Sequence, residues 1–311
     1  MERRLVRWLE RRVRAPRGAI VPLGDDAAVL EPPFPGPVVF STDQVVGGVH
    51  VPAAMSDLAA VGRKAVARSL SDLAAMAARP WLHLASVAVP GHLDEHAVQA
   101  LLEAMVVRGE ALGAPLVGGD ISATPGPLVV AVTVVGLMEG RSPWRRSGAR
   151  PGDLIMVTGE LGGSLLGRHL DPQPRIAEAL RLASGARVHA AIDISDGLLL
   201  DLWRLLEASG VAVRLDLAAI PVSAAARQMA EQSGREALEH ALSDGEDYEL
   251  LLAVPPEEAP RLGGLVPGLS VRVIGAIEEG PPQLRDQTGR PLEPKGYEHL
   301  DDATCRRPSH P

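Results

Sequence analysis

The chain has 311 residues, 46% hydrophobic and 23% charged, with 31 Lys and Arg against 39 Asp and Glu, a net charge of −8. That composition excludes disordered and collagen-like polymers, and the length predicts about two domains. The acidic balance and an aromatic share of only 3% argue against a protein that grips phosphate backbones or stacks bases, so no nucleic-acid partner is expected.

With so few rings, the core must be built from Ala, Val and Leu. A single cysteine, Cys305, excludes an internal disulfide or a multi-thiolate metal site and fits a reducing compartment, predicting a cytoplasmic protein. No apolar run approaches the roughly 20 residues that span a bilayer, so no membrane partner is expected. The first residues, MERRLVRWLERRVRAPRG, hold seven Arg and two Glu and lack an apolar stretch. They read as an amphipathic helix rather than a secretory signal, and the acids argue against a transit peptide.

In chain order, Leu5, Trp8, Leu9 and Val13 predict a helix over 2–14. Short extended pieces are predicted at 27–30 and 38–41, split by EPPFPGP. A long helix over 57–79 stops before Pro80, strands follow at 82–89 and 128–137, and 94–112 between them is helical. The Gly-, Pro- and Arg-rich stretch 139–152 predicts a boundary between residues 1–140 and 150–311. The second part reads strand 153–158, helix 163–170, helix 174–184, strand 188–194, helix 197–209, strand 211–217, helix 222–241, strand 249–254, helix 256–264 and strand 270–277. The tail from Gln283 reads as irregular. Alternating strands and helices predict an α/β (α+β) architecture.

The chemistry lies in aspartates at strand ends and turns beside small residues. Asp25 and Asp26 lie in LGDDAAVL, Asp43 in VVFSTD, Asp72 in SLSDLAAMAA, and Asp120 in VGGD. Asp193 and Asp196 lie in AIDISDGL, and Asp244 and Asp247 in LSDGEDYELLLAV. Isolated carboxylates next to apolar runs are costly to bury unless something neutralises them. Mg²⁺ does so, prefers oxygen ligands, and is usually shared with substrate phosphates, so the set points to a polyphosphate substrate.

Each motif also has a local reading. GDD can be a turn; Ser41-Thr42-Asp43 or Ser71-Asp72 can cap a turn or helix; Ser195 or Asp196 can cap the helix that follows. Gly118-Gly119-Asp120 can be a loop exit. The loop Thr158-Gly-Glu-Leu-Gly-Gly-Ser164 follows a strand and either cradles phosphate on its N–H groups or is a tight turn. Arg145 and Arg146 suit phosphate or are solvated linker charges, and His50 in VVGGVHV is either structural or functional. Cys305 reads as inert.

Taken in order, GDDAAVL, STDQVVGGVHV, SLSDLAAMAARP, VGGD, RRSGARPGD, VTGELGGS, IDISDGL, LSDGEDYEL and KGYEH resemble thiamine-monophosphate kinase, a member of the PurM-like superfamily. The resemblance runs from about residue 18 to about residue 300. It implies a two-domain PurM-like fold, with an N-terminal sheet domain that binds ATP and metal and pairs into a homodimer. A C-terminal α/β domain, a sheet packed with helices, completes the nucleotide and substrate site. It implies ATP-dependent phosphorylation of thiamine monophosphate to thiamine diphosphate with several Mg²⁺. The metal ligands it implies are Asp26, Thr42, Asp43, Asp72, Asp120, Asp193 and Asp196, with Ser41 close by. It implies ATP contacts at Gly119, Asp120, Arg146 and Ser195, and thiamine-phosphate contacts at His50, Glu246 and Tyr297. No side chain is implied as a covalent or strong-base catalyst.

Two positions depart from the family pattern. Asp244 stands where a Gly usually precedes GEDYE, and Ile121 where a Thr usually follows GGD. Rival readings are another ATP enzyme of the superfamily or a regulatory protein without turnover. Selenophosphate synthetase needs a reactive Cys near the N-terminus, and the hydrogenase maturation dehydratase ends in a functional Cys. Neither feature is present, and GEDYE and KGYEH favour the thiamine enzyme.

Overall fold

A computed structural model describes residues 1–21, 28–33 and 36–298. The predicted strand start at Ala27 and the GDD motif with Asp25 and Asp26 lie outside the described residues. The chain divides into two compact units. The first comprises Met1–Trp144 and His169–Ser184; the second comprises Arg145–Arg168 and the chain from Gly185 onward.

The first unit opens with α1 (Glu2–Arg12) and a two-stranded antiparallel ladder of β1 (Ala19–Val21) and β2 (Val29–Leu30). Then come β3 (Val38–Val46), α2 (Leu58–Ala75), β4 (Arg79–Pro90), α3 (Glu95–Ala111), β5 (Leu116–Thr124) and β6 (Val129–Leu137). The last four strands form one sheet in the order β3-β6-β4-β5, antiparallel except for the parallel pair β4–β5, which α3 connects. Asp57 and Asp94 start α2 and α3 by accepting the N–H of Ala60 and Ala97 at 2.9 and 2.8 Å. α2 ends before the predicted Arg79, because Ala77 turns to φ +52° and the chain enters β4. Leu70 and Leu73 of α2 are fully buried, each contributing about 1.5–3 kcal/mol.

Three further expectations are corrected in this unit. Asp43 does not end its strand; β3 continues to Val46. Ser71-Asp72 is not a cap, since α2 starts fourteen residues before Ser71 at its cap residue Asp57. Gly118-Gly119-Asp120 is not a loop exit but mid-strand in β5. A Cβ on Gly119 would lie 1.9 Å from the Ala85 carbonyl oxygen, so the glycine permits the close approach of β4.

The second unit is a six-stranded sheet in the order β12-β9-β11-β7-β10-β8. Its strands are β7 (Leu154–Thr158), β8 (Ala190–Asp193), β9 (Ala212–Leu215), β10 (Leu250–Val254), β11 (Val271–Glu278) and β12 (Gln283–Asp286). All pairs are antiparallel except β12 with β9. The tail is therefore not irregular at its start: Gln283–Asp286 adds an edge strand. The helix α5 (Leu198–Ser209) buries Leu198, Leu202, Leu205 and Leu206 against the sheet.

The remaining helices are α6 (Ala224–Ser233), α7 (Ala237–Ser243) and α8 (Ala259–Leu265), while α4 (Ile176–Gly185) lies largely in the first unit. The helix predicted over 222–241 is broken by Gly234 at φ +73°. The helix predicted over 163–170 is two short 3₁₀ turns, Ser164–Leu166 and Arg168–Leu170, separated by Gly167 at φ +125°.

Candidate active site

In the first unit, β3 alternates in burial. Ser41 and Asp43 face α2, and Thr42 faces the open side of the sheet with Phe40 and Gln44. The Ser41 hydroxyl donates to the Asp72 carboxylate of α2. Arg68, one turn before Asp72, donates through Nε to Asp43 Oδ2 at 2.6 Å, and the Gln44 N–H donates to Asp43 Oδ1 at 2.8 Å. The Thr42 hydroxyl instead accepts from Thr133 at 3.1 Å on the open side. Ser41-Thr42-Asp43 is thus a mid-strand segment rather than a cap.

His50 follows β3 in a tight turn whose N–H groups donate to Val46 O and Val51 O. Its Nδ1 accepts the Val46 N–H at 3.0 Å, which puts the proton of the neutral ring on Nε2. The buried Lys64 of α2 donates to the His50 carbonyl at 2.7 Å.

Register sets where Gly119 and Asp120 fall. Asp43, Val132, Ala85 and Gly119 form one row across the sheet, and Gln44, Ala131, Ser86 and Asp120 the next. Three interstrand spacings, about 14 Å, separate Asp43 from Gly119. Asp120 shares the open face with Gln44, whereas Asp43, held by Arg68, and Asp72, held by Ser41, lie on the helix-covered side. Gly119 and Asp120 border a cavity of about 600 Å³ that Phe40, Trp81, Leu84 and Leu30 also line.

In the second unit, Asp193 ends β8, buried, and Ser195 and Asp196 follow in the loop before α5. Three backbone hydrogen bonds draw the other loops to this one. Glu246 N–H donates to Ser195 O at 2.7 Å, Tyr248 N–H to Ile194 O at 2.8 Å, and Tyr297 N–H to Asp196 O at 2.8 Å. Ser195, Asp196, Glu246 and Tyr297 are therefore drawn together in one loop cluster, which begins right after the buried Asp193. Arg146 stands at its start with an exposed side chain, and its carbonyl accepts the Ser209 hydroxyl at 2.9 Å.

Neither Ser195 nor Asp196 caps α5. Asp201, inside the first turn, reaches back: its Oδ2 accepts the N–H groups of Ser195, Asp196 and Gly197 at 3.0, 2.9 and 3.1 Å. Arg204 donates to Asp201 Oδ1 and Asp196 Oδ2, each at 2.6 Å. Burial pushes the Asp201 carboxyl up to about 6 against the N–H of Asp196 and the charge of Arg204, which favour ionisation. Asp201, Arg204, Arg68 and Lys64 escaped the sequence reading, although Arg68 precedes Asp72, and Arg204 follows Asp201, at helical spacing.

The glycine-rich loop 158–164 is a turn wrapped on protein carboxylates. Gly162 N–H donates to Asp247 Oδ1 at 2.9 Å, and the Thr158 hydroxyl donates to Glu249 Oε2 at 2.6 Å. A Cβ on Gly159 would lie 2.1 Å from Glu249 Oε1. Asp244, at the departure from the family pattern, is bound by His240 Nδ1 at 2.7 Å and by Arg235 at 3.4 Å.

Residues 24–138 match the family AIR synthase related protein, N-terminal domain, and residues 150–286 match AIR synthase related protein, C-terminal domain. Thiamine-monophosphate kinase of Rhodopirellula baltica is 42% identical over 286 residues, covering 89% of each chain. The chain belongs to the thiamine-monophosphate kinase family. The crystal structure of the thiamine-monophosphate kinase from Stenotrophomonas maltophilia K279a matches at TM-score 0.79 and 32% identity, over 94% of this chain and 96% of that one. AaThiL complexed with AMPPCP and TMP matches at TM-score 0.75 and 29% identity, over 96% of each chain. Family membership decides among the superfamily's ATP enzymes, and the α/β fold, with one main sheet in each unit, agrees with it.

Among the described residues, no three His, Cys, Asp or Glu side chains converge as a metal-binding group. By donor type the residues nonetheless fit Mg²⁺: the Ser41 hydroxyl and the carboxylates of Asp43, Asp72, Asp193 and Asp196 offer oxygen alone. Two of them already carry an arginine, Asp43 with Arg68 and Asp196 with Arg204.

Proposed function

We propose that this protein transfers the γ-phosphoryl group of ATP directly, in line, to the phosphate of thiamine monophosphate, giving ADP and thiamine diphosphate. The observation that carries this reading is the convergence of three separate loops, through Ser195, Asp196, Glu246 and Tyr297, in a chain of this family. AaThiL, a solved structure matching almost the whole chain, holds an ATP analogue together with TMP.

The acceptor phosphate is largely ionised near neutral pH, so no strong base is needed, and the task is to hold two polyanions together. Arg146 supplies a fixed cation for the ATP phosphates, and Ser195, Gly119 and Asp120 contact the nucleotide. Glu246, Tyr297 and His50 contact the thiamine phosphate, with the His50 Nε2–H as a donor. Asp26, Ser41, Thr42, Asp43, Asp72, Asp120, Asp193 and Asp196 would hold several Mg²⁺. When bound, Mg²⁺ supplies charge neutralisation between the phosphates and at the transition state. Arg68 and Arg204 hold Asp43 and Asp196 in place. We assign residues 1–140 to the ATP, metal and pairing domain and 150–311 to the domain that completes the site.

The open face of the first sheet exposes Phe40 (70%), Leu84 and Val38, which supports pairing into a homodimer through this face. No helix among the described residues is long and apolar enough to cross a membrane, and we place the protein in the cytoplasm.

The test is product formation from ATP, Mg²⁺ and thiamine monophosphate, with free thiamine as a parallel acceptor. Thiamine diphosphate made only from the monophosphate, and lost with EDTA, is the expected result. ATP binding without product overturns the reading.

A further inference from the structure

Asp247 is a buried carboxylate beside the proposed substrate residues with no part in the reaction described so far. The backbone around it is unusual: Gly245, Glu246 and Tyr248 have φ of +74°, +54° and +53°. Non-glycine residues in that region cost about 1–3 kcal/mol each and persist only where their surroundings over-determine them. On one side, the bonds from Glu246 and Tyr248 to Ser195 and Ile194 fix the turn. On the other, the Ser164 hydroxyl donates to Gly245 O at 2.8 Å.

Between the two strained residues Asp247 turns inward, with its side chain only 1% exposed. Its Oδ1 accepts the Gly162 N–H at 2.9 Å and Arg168 Nη2 at 2.5 Å. Its Oδ2 is buried with no hydrogen-bond partner among the described residues. The Tyr248 hydroxyl donates to Glu246 Oε1 at 3.4 Å. Burial raises Asp247 to about 7, against Arg168 and the Gly162 N–H, with Glu249 and Asp244 adding to the rise. A carboxylate kept there works against stability, as expected where geometry matters more than folding energy.

We propose that Asp247 is a positioning residue: by tying the 245–248 turn to Gly162 and Arg168, it holds Glu246 in its left-handed conformation, aimed at the thiamine-phosphate acceptor. The assignment rests on the reading of Glu246 as a substrate contact. Asp247 itself touches no reacting atom.

The experiment compares full-length D247N, R168Q, E246A and the E246A/D247N double variant with the parent enzyme. KM is measured for thiamine monophosphate at saturating Mg·ATP, and for ATP at saturating thiamine monophosphate. D247N and R168Q should raise the KM for thiamine monophosphate on the order of tenfold to a hundredfold, with the KM for ATP nearly unchanged. In the E246A background, D247N should add nothing, because its effect runs through Glu246. Equal rises in both KM values, or a full D247N effect on top of E246A, would overturn the positioning role. Should D247N fail to fold, R168Q carries the same comparison from the solvent side of the pair. A parent enzyme that makes no thiamine diphosphate refutes the proposed function. A parent that makes it, beside a D247N variant with unchanged thiamine-monophosphate kinetics, refutes only the positioning role.

Discussion

Asp201 offers the sharpest structural test. Asp201→Ala removes the acceptor of three N–H groups, those of Ser195, Asp196 and Gly197, together with one anchor of Arg204. A buried donor left without a partner costs about 1–3 kcal/mol. Gly197 is buried and pays in full, whereas Ser195 and Asp196 are partly exposed and can turn to water. The carboxylate itself is costly to bury, so its removal returns part of the loss. The net expectation for Asp201→Ala is a destabilisation of about 2–4 kcal/mol. Asp201→Asn keeps an oxygen for the N–H groups but turns an amide donor toward Arg204, and should lose about half as much. Urea denaturation followed by far-ultraviolet circular dichroism gives the stability, and turnover of folded protein gives the effect on the site. The 194–197 loop carries Ser195 and Asp196, so kcat should fall along with stability. Asp201→Ala with parental stability and parental kcat would refute this reasoning.

Asp72→Asn and Asp120→Asn should each cut kcat at least about a hundredfold with the fold intact; near-normal turnover in both would refute the metal-ligand assignment. Asp247, raised from 3.8 to about 7, contributes stability that is fully present below pH 4 and is lost as pH rises toward 7. Asp247→Asn should therefore gain a few kcal/mol on the parent between pH 4 and pH 8, and a pH-independent difference in urea midpoints contradicts this. Gly162→Ala should cost about 2 kcal/mol or more, since φ is +82° and the new Cβ would lie 2.6 Å from the Ala241 nitrogen; an unchanged Tm contradicts it.

The long periodic elements were legible in the sequence because burial imposes the period: α1, α3 and β6 lie within two residues of expectation. β5 was not, because Gly118 and Gly119 interrupt its apolar run. Their role, close approach to β4, appears only when Ala85 is set opposite. β12 was hidden by the prolines around it, and the break between α6 and α7 by the tolerance of helical patterns for a single Gly234.

At the site, the sequence marks the oxygen donors but not their faces. Strand alternation separates Thr42 from Ser41 and Asp43, and register carries Asp120 about 14 Å across the sheet. Asp201 drew no reading from the sequence, since capping from inside the first turn leaves no signature at the cap position itself. The glycine loop 158–164 had two readings with the same glycines; only the buried carboxylates of Asp247 and Glu249 decide between them.

The central claim is that the γ-phosphoryl group of ATP ends on thiamine monophosphate. Enzyme, Mg²⁺, thiamine monophosphate and ATP labelled with ³²P at the γ position test it directly. The label should appear in thiamine diphosphate in step with ADP. Label released only as inorganic phosphate, or retained in ATP, would contradict the claim.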